Sequence, residues 1–141
     1  ADRGSYLVIL RLREDKYITV GKMGKIFFPA GYYVYVGSAM ANLTARLERH
    51  RRLRKNLHWH IDYLRQAAEF ETALPVRSSV SLECPIAQAM EAVADWTVPR
   101  FGSSDCSCPT HLFGMQSNPL HSEEFMKLLL DFRIDRLLNQ E

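Results

Sequence analysis

Residues 32–36, Tyr-Tyr-Val-Tyr-Val, form an unbroken run of aromatic and β-branched side chains that stops at Gly37-Ser38-Ala39, just before an arginine-bearing stretch. Such side chains favour a pleated strand, and a glycine lets the chain turn or lets another group approach its backbone closely. The run therefore predicts a strand–turn–helix unit. Tyr35 stands near the strand end, and Arg46 and His50 share one helix face at the i,i+4 spacing. Any fold for this chain must seat that strand in a sheet and set that helix beside its end. Tyrosine, arginine and histidine grouped in this way are the residue types that phosphodiester chemistry uses. A proton acceptor activates water, and a cation holds the phosphate.

The other segments predict what surrounds this unit. Residues 6–12 read as a strand buried on both faces, and residues 17–20 and 25–28 as short strands joined at Gly21-Lys22-Met23-Gly24. A helix is expected from 42 to about 54, with Asn42 as N-cap, Leu43 and Leu47 on its buried face, and Glu48 paired with Arg52. Asn56 is expected to cap a second helix over 57–67, whose Trp59, Tyr63 and Leu64 would pack inward. Residues 70–76 suggest another strand. A third helix would start at Glu83 or Cys84 and run through Ala94, with Pro85 in its first turn. After a Gly/Ser/Cys/Pro loop over 99–109, residues 111–113 read as a short return strand. The spacing of Leu120, Phe125, Leu128, Leu129, Phe132 and Leu137 predicts an amphipathic helix from 119 to 138. The expected class is α+β: a small, mostly antiparallel sheet with an extra hairpin, flanked by helices. With 141 residues, 47% of them hydrophobic, one domain is expected over the whole chain, with 116–141 as a C-terminal helix packing on it.

A net charge of +2 says little about partners, but its distribution says more. Between residues 42 and 60 lie Arg46, Arg49, Arg51, Arg52, Arg54 and Lys55 against the single acid Glu48. A local excess of this kind suits a phosphate backbone, although a charge run taken alone is more often a solvated helix face. Three cysteines give no even disulfide framework. With no secretory signal and no apolar run of bilayer length, a soluble, cytoplasmic setting without a membrane partner is expected. Cys84, Cys106, Cys108 and His111 make up an S₃N set for structural zinc. The Cys-x-Cys spacing is tighter than usual, so small buried cysteines are the plainer reading.

Gly4-Ser5-Tyr6, then Tyr35-Val36-Gly37, then Arg46 in a basic helix resemble the GIY-YIG endonuclease superfamily. The likeness is closest to its small standalone Uri-type branch. It is carried by Tyr-Val-Gly-Ser-Ala at 35–39, Arg46-Leu47-x-Arg49-His50, the stretch His58-Trp59-His60-Ile61-Asp62-Tyr63-Leu64, and Phe101-Gly102-Ser103-Ser104-Asp105-Cys106. It runs from about Gly4 to about Phe113. The resemblance implies a metal-dependent DNA endonuclease, of use in DNA repair or processing. Tyr6 would be the base or water-orienting phenol and Tyr35 its partner. Arg46 would hold the scissile phosphate, and Glu83 would hold one Mg²⁺ or Mn²⁺ ion, with Glu91 the less favoured choice. His50 would assist proton transfer or contact phosphate, and Arg49, Arg52, Lys55, His58 and His60 would contact DNA.

The chain departs from the pattern in four places. Ser5 stands where an apolar residue is usual, and the extra hairpin lengthens the gap between the tripeptides. Ser38 replaces a frequent lysine, and Ala41-Asn42 replace glycines before the helix. The alternative function is a nucleic-acid-binding module that has the nuclease fold but little or no cleavage activity. A further option is a domain that works only when docked on a larger repair protein.

Overall fold

The strand Gly4–Leu12 (β1) is apolar on both faces, and it therefore lies inside a sheet with helices on either side. The structure is a computed structural model describing residues 1–102 and 107–138. After β1 come Lys16–Thr19 (β2), Lys25–Phe28 (β3) and Gly31–Ala39 (β4), then helices Leu43–Arg51 (α1) and His60–Ala67 (α2). Glu69–Arg77 (β5), helix Glu83–Val93 (α3), Trp96–Thr97 (β6), Leu112–Met115 (β7) and helix Glu123–Leu138 (α4) complete the order. The main sheet runs β5-β1-β4-β7-β6, antiparallel throughout, while β2 and β3 pair as a separate hairpin. The architecture is the expected α+β class.

Side-chain alternation sorts the core into two layers. On one face of the sheet Tyr6, Val8, Leu10, Tyr33 and Tyr35 pack with Leu43 of α1 and Ile61 and Leu64 of α2. On the other, Leu7, Ile9, Val34 and Val36 pack with Ile86 and Met90 of α3 and Phe125 and Leu129 of α4. Each such aliphatic or aromatic side chain stabilises the fold by about 1.5–3 kcal/mol when fully buried. A one-residue slip of β1 would exchange its two faces, so the alternation also fixes register. That register sets Tyr6 opposite Gly37 and Val8 opposite Tyr35. The hairpin is anchored by Phe28, which meets Tyr33 and Phe101 edge-on, while Tyr17 and Phe27 stack at its exposed surface. Among the described residues no helix is long and apolar enough to cross a membrane.

Several local expectations are corrected. Asn42 does not cap α1 with its side chain. It sits in the left-handed region at φ 55°, and Asp2 does the work, its carbonyl accepting from Leu43 N and its carboxylate from Thr44 N at 3.1 Å. Glu48 pairs with Arg51 rather than Arg52, because α1 ends at Arg51 and Arg52 has already turned to extended backbone. The second helix begins at His60, not Leu57, and the acceptor at its start is Asp62, which takes the backbone N–H groups of His58 and Trp59. Leu120 lies in a 3₁₀ turn and is exposed, and the two-residue strand β6 was not anticipated.

Candidate active site

At the end of β1 and β4, on the face covered by α1 and α2, lies a cleft of about 350 Å³. It is lined by Tyr6, Tyr35, Gly37, Ser38, Arg46, His58, Trp59, His60, Glu83 and Gly102. The pairing of Tyr6 with Gly37 builds its floor. A Cβ on residue 37 would fall 2.4 Å from Tyr6 Oη, so the phenol lies over Gly37 only because no side chain is there. Gly102 does the same for Tyr35. Its φ is +68°, and an added Cβ would fall 2.9 Å from the Tyr35 ring.

His50 reaches the same floor from the last turn of α1. Its Nε2 lies 2.8 Å from Tyr6 Oη, and its ring packs among Tyr6, Tyr35 and Trp59. Burial (His50 is 2% exposed) and then the nearby Lys55 cation push its pKa down to about 3, so it is neutral at physiological pH. Burial also pushes the Tyr6 phenol up to about 12, against the opposing pull of Arg46. The two neutral side chains share one hydrogen bond, in which Tyr6 O–H donates when His50 carries its proton on Nδ1. Tyr35 is pushed up further still, by burial first and then by the nearby Tyr6 and Glu83.

Arg46 enters from the first turns of α1. It donates from Nη1 to the Ser38 carbonyl at 3.1 Å and lies over Trp59 at 4.5 Å from the ring centroid. Arg49 lies over the same indole at 4.4 Å, but its guanidinium is committed to Asp62 as a two-pronged ion pair at 3.1 and 2.9 Å, with a further bond to the Asn56 carbonyl. Arg49 therefore braces the wall and is not placed to meet a ligand. Lys55 is also withdrawn from the surface. Its side chain is 4% exposed, and its ammonium caps α1 by donating to the Arg49 and His50 carbonyls. Arg52 is exposed on the loop that leaves α1. His58 and His60 both line the cleft, with His58 exposed.

Glu83 arrives from the opposite layer, as the first residue of α3. A chain of hydroxyls holds that helix start to the strands. Ser5 Oγ lies 2.8 Å from Ser38 Oγ, which lies 2.8 Å from Ser81 Oγ, and Ser5 Oγ accepts the Leu82 N–H at 2.8 Å. This accounts for a polar residue in the middle of the first tripeptide, since Ser5 is fully buried and an apolar side chain could not receive Leu82. Ser5→Ala is expected to cost about 1–3 kcal/mol in urea unfolding, through the buried amide it leaves unsatisfied. A loss below about 0.5 kcal/mol, within the range of ordinary surface substitutions, would refute the positioning role.

The cleft thus unites Tyr6, Tyr35, Arg46 and Glu83, with His50 buried behind Tyr6 and in contact with it. Cys84, Cys108 and His111 lie together behind Glu83, whose carboxylate is 3.2 Å from His111 Nδ1. Cys106, with Ser103, Ser104 and Asp105, lies outside the described residues. Glu91 is exposed. Sequence reasoning missed the positioning roles of Ser5, which meets Leu82 far along the chain, and of Asp62, and it gave Lys55 to DNA rather than to the end of α1. It assigned Trp59 to the core, and that indole packs against the core and also forms a wall of the cleft.

Residues 5–134 match the family model described as Domain of unknown function DUF123. No curated protein and no solved structure matches the chain.

Proposed function

The chain belongs to the DUF123 family, whose description carries no activity, and from its site we propose a metal-dependent DNA endonuclease of the GIY-YIG kind. The observation that supports this most is the contact of 2.8 Å between Tyr6 Oη and His50 Nε2, on the floor of a cleft that also holds Arg46 and Glu83. In the proposed reaction Arg46 holds a phosphate oxygen of the scissile group. Tyr6 Oη orients a water and takes its proton as the phenol proton passes to His50 Nε2. The water oxygen bonds to phosphorus in line, the bond to the leaving sugar oxygen breaks, and that oxygen takes a proton from solvent. His50 returns its proton to solvent through Tyr6. The low basicity of His50 suits a transient acceptor that does not hold the proton.

The donor set fits one hard divalent ion. Glu83 is the only carboxylate among the described lining residues. Magnesium or manganese is commonly held by one or two carboxylates, with water and substrate phosphate as the other ligands. When bound, such an ion supplies positive charge to the phosphate and leaving oxygens. His58, exposed and lining the cleft, is the surface group best placed to meet the flanking backbone.

The test is nicking of supercoiled plasmid and of branched DNA in magnesium, comparing wild type with Glu83→Gln. The variant is expected to lose at least about 10²-fold in rate. Undiminished nicking by the variant would sink the assignment. Wild-type protein that binds these DNAs without cutting them in magnesium or manganese would be a binding module instead.

A further inference from the structure

Behind the cleft, where α3 starts and the chain approaches β7, Cys84, Cys108 and His111 bring one donor atom each to within 4.8 Å of one another. Ligands of a tetrahedral zinc ion, at about 2.3 Å for sulfur and about 2.0 Å for nitrogen, stand roughly 3.4–3.8 Å apart, so the cluster needs little adjustment. Cys108 and His111 are buried.

His111 carries a second, independent sign. It is 1% exposed, and its Nε2 is buried with no hydrogen-bond partner among the described residues. Its Nδ1 lies 3.2 Å from the Glu83 carboxylate. The ring also donates to the Gly102 carbonyl, and an imidazole whose Nδ1 carries the proton and faces such acceptors keeps its Nε2 lone pair for a metal. Left alone, a buried acceptor nitrogen without a partner is destabilising. Two sulfurs and one imidazole select a zinc-like cation over magnesium.

Cys84 is disulfide-bonded in this structure, so its sulfur becomes a ligand only on reduction. We propose that the reduced protein binds one zinc ion through Cys84, Cys108 and His111, separate from any ion at Glu83. A dithiol supplies two electrons and two protons to the Cys84 disulfide and is itself oxidised to a disulfide. Cys84 and Cys108 then lose their thiol protons as their sulfurs bind the metal. The three side chains leave one tetrahedral position for a further donor. The ion would tie the start of α3 to the chain entering β7, and through His111 it would hold Glu83 at the edge of the cleft. This site does not depend on the nuclease reading.

The test uses the full chain, reduced with dithiothreitol and desalted without oxygen, then loaded with zinc or with cobalt. Elemental analysis is expected to find about one zinc per chain, and cobalt to give thiolate charge-transfer absorption with tetrahedral d–d bands. Cys108→Ser should weaken the charge-transfer band by about half or more, and His111→Gln should lower zinc retention against a chelator by at least about 10-fold. Wild-type protein that retains no zinc and gives only an octahedral cobalt spectrum overturns the proposal, whether or not either variant folds. That result would leave the nicking test untouched, because neither Glu83 nor Arg46 is a ligand here.

Discussion

Arg46→Ala is expected to slow DNA nicking by about 10²–10³-fold, the usual consequence of deleting one preorganised group that stabilises developing charge. Its neighbours preorganise this guanidinium. The Ser38 carbonyl holds Nη1 at 3.1 Å, and the Trp59 ring lies 4.5 Å from the guanidinium carbon. The bonds to Ser38 and Tyr6 still leave most of the five N–H donors for a phosphate, and the stack keeps their plane from rotating away. Removing Arg46 has a second effect. Its charge opposes the burial that raises the Tyr6 phenol, so without it Tyr6 becomes a still poorer acid toward His50. Both losses fall on the chemical step, so the rate constant measured at saturating DNA should drop far more than DNA affinity. Arg46→Lys keeps the charge but neither the fork nor the flat face, and less than about 10-fold of the loss should return. Nicking by Arg46→Ala within about 5-fold of wild type would remove Arg46 from the reaction, since one lost charge-stabilising donor costs far more than that.

How much of this could be read from the chain depends on the range of each interaction. The two central strands and the helix at Glu83 follow from local patterning. A strand apolar on both faces must be covered twice, and Pro85 marks a first turn, so β1 and α3 lie close to where they were expected. Errors gather where a distant group outcompetes a local one. Asn42 has the right chemistry for a cap, but the Asp2 carboxylate already occupies the end of α1. Asn56 fails for a local reason, since α2 starts only at His60 and Asp62 of its first turn takes the N–H groups of His58 and Trp59. Tyr6, Tyr35, Arg46, His50 and Glu83 all line or face one cleft, because strand pairing brings the two tripeptides together and α1 and α3 begin at that end. Arg49 and Lys55 were misread as surface cations because a charge run does not reveal that a buried carboxylate thirteen residues along from Arg49 has claimed both.

That carboxylate underlies the largest stability effect. Asp62 is fully buried, and it accepts two bonds from Arg49 and the backbone N–H groups of His58 and Trp59, with the Lys55 ammonium 3.6 Å away. Asp62→Ala would strand a guanidinium and a nearly buried ammonium with no counter-charge, and it should cost about 3–5 kcal/mol in denaturant unfolding. Asp62→Asn keeps the shape and one acceptor, so it should cost less.

The pH dependence supplies a second measure. Burial pushes the Asp62 carboxyl up, but the bonds from Arg49 and from the two amides outweigh it and bring the pKa down to about 2, from 3.8. A carboxyl with a depressed folded pKa contributes stability that is complete above the unfolded value and is lost as pH falls from about 3.8 toward 2. The amount is on the order of 2 kcal/mol. His50 also has a depressed pKa, so the unfolded chain takes up this proton first and stability falls as pH drops from about 6.5 toward 3. Wild type should therefore lose stability in two overlapping windows on acidification. Asp62→Asn should keep the His50 window and lose the one below pH 3.8. Equal acid sensitivity of wild type and variant below that pH would show that the Arg49–Asp62–Lys55 cluster does not hold the wall of the cleft.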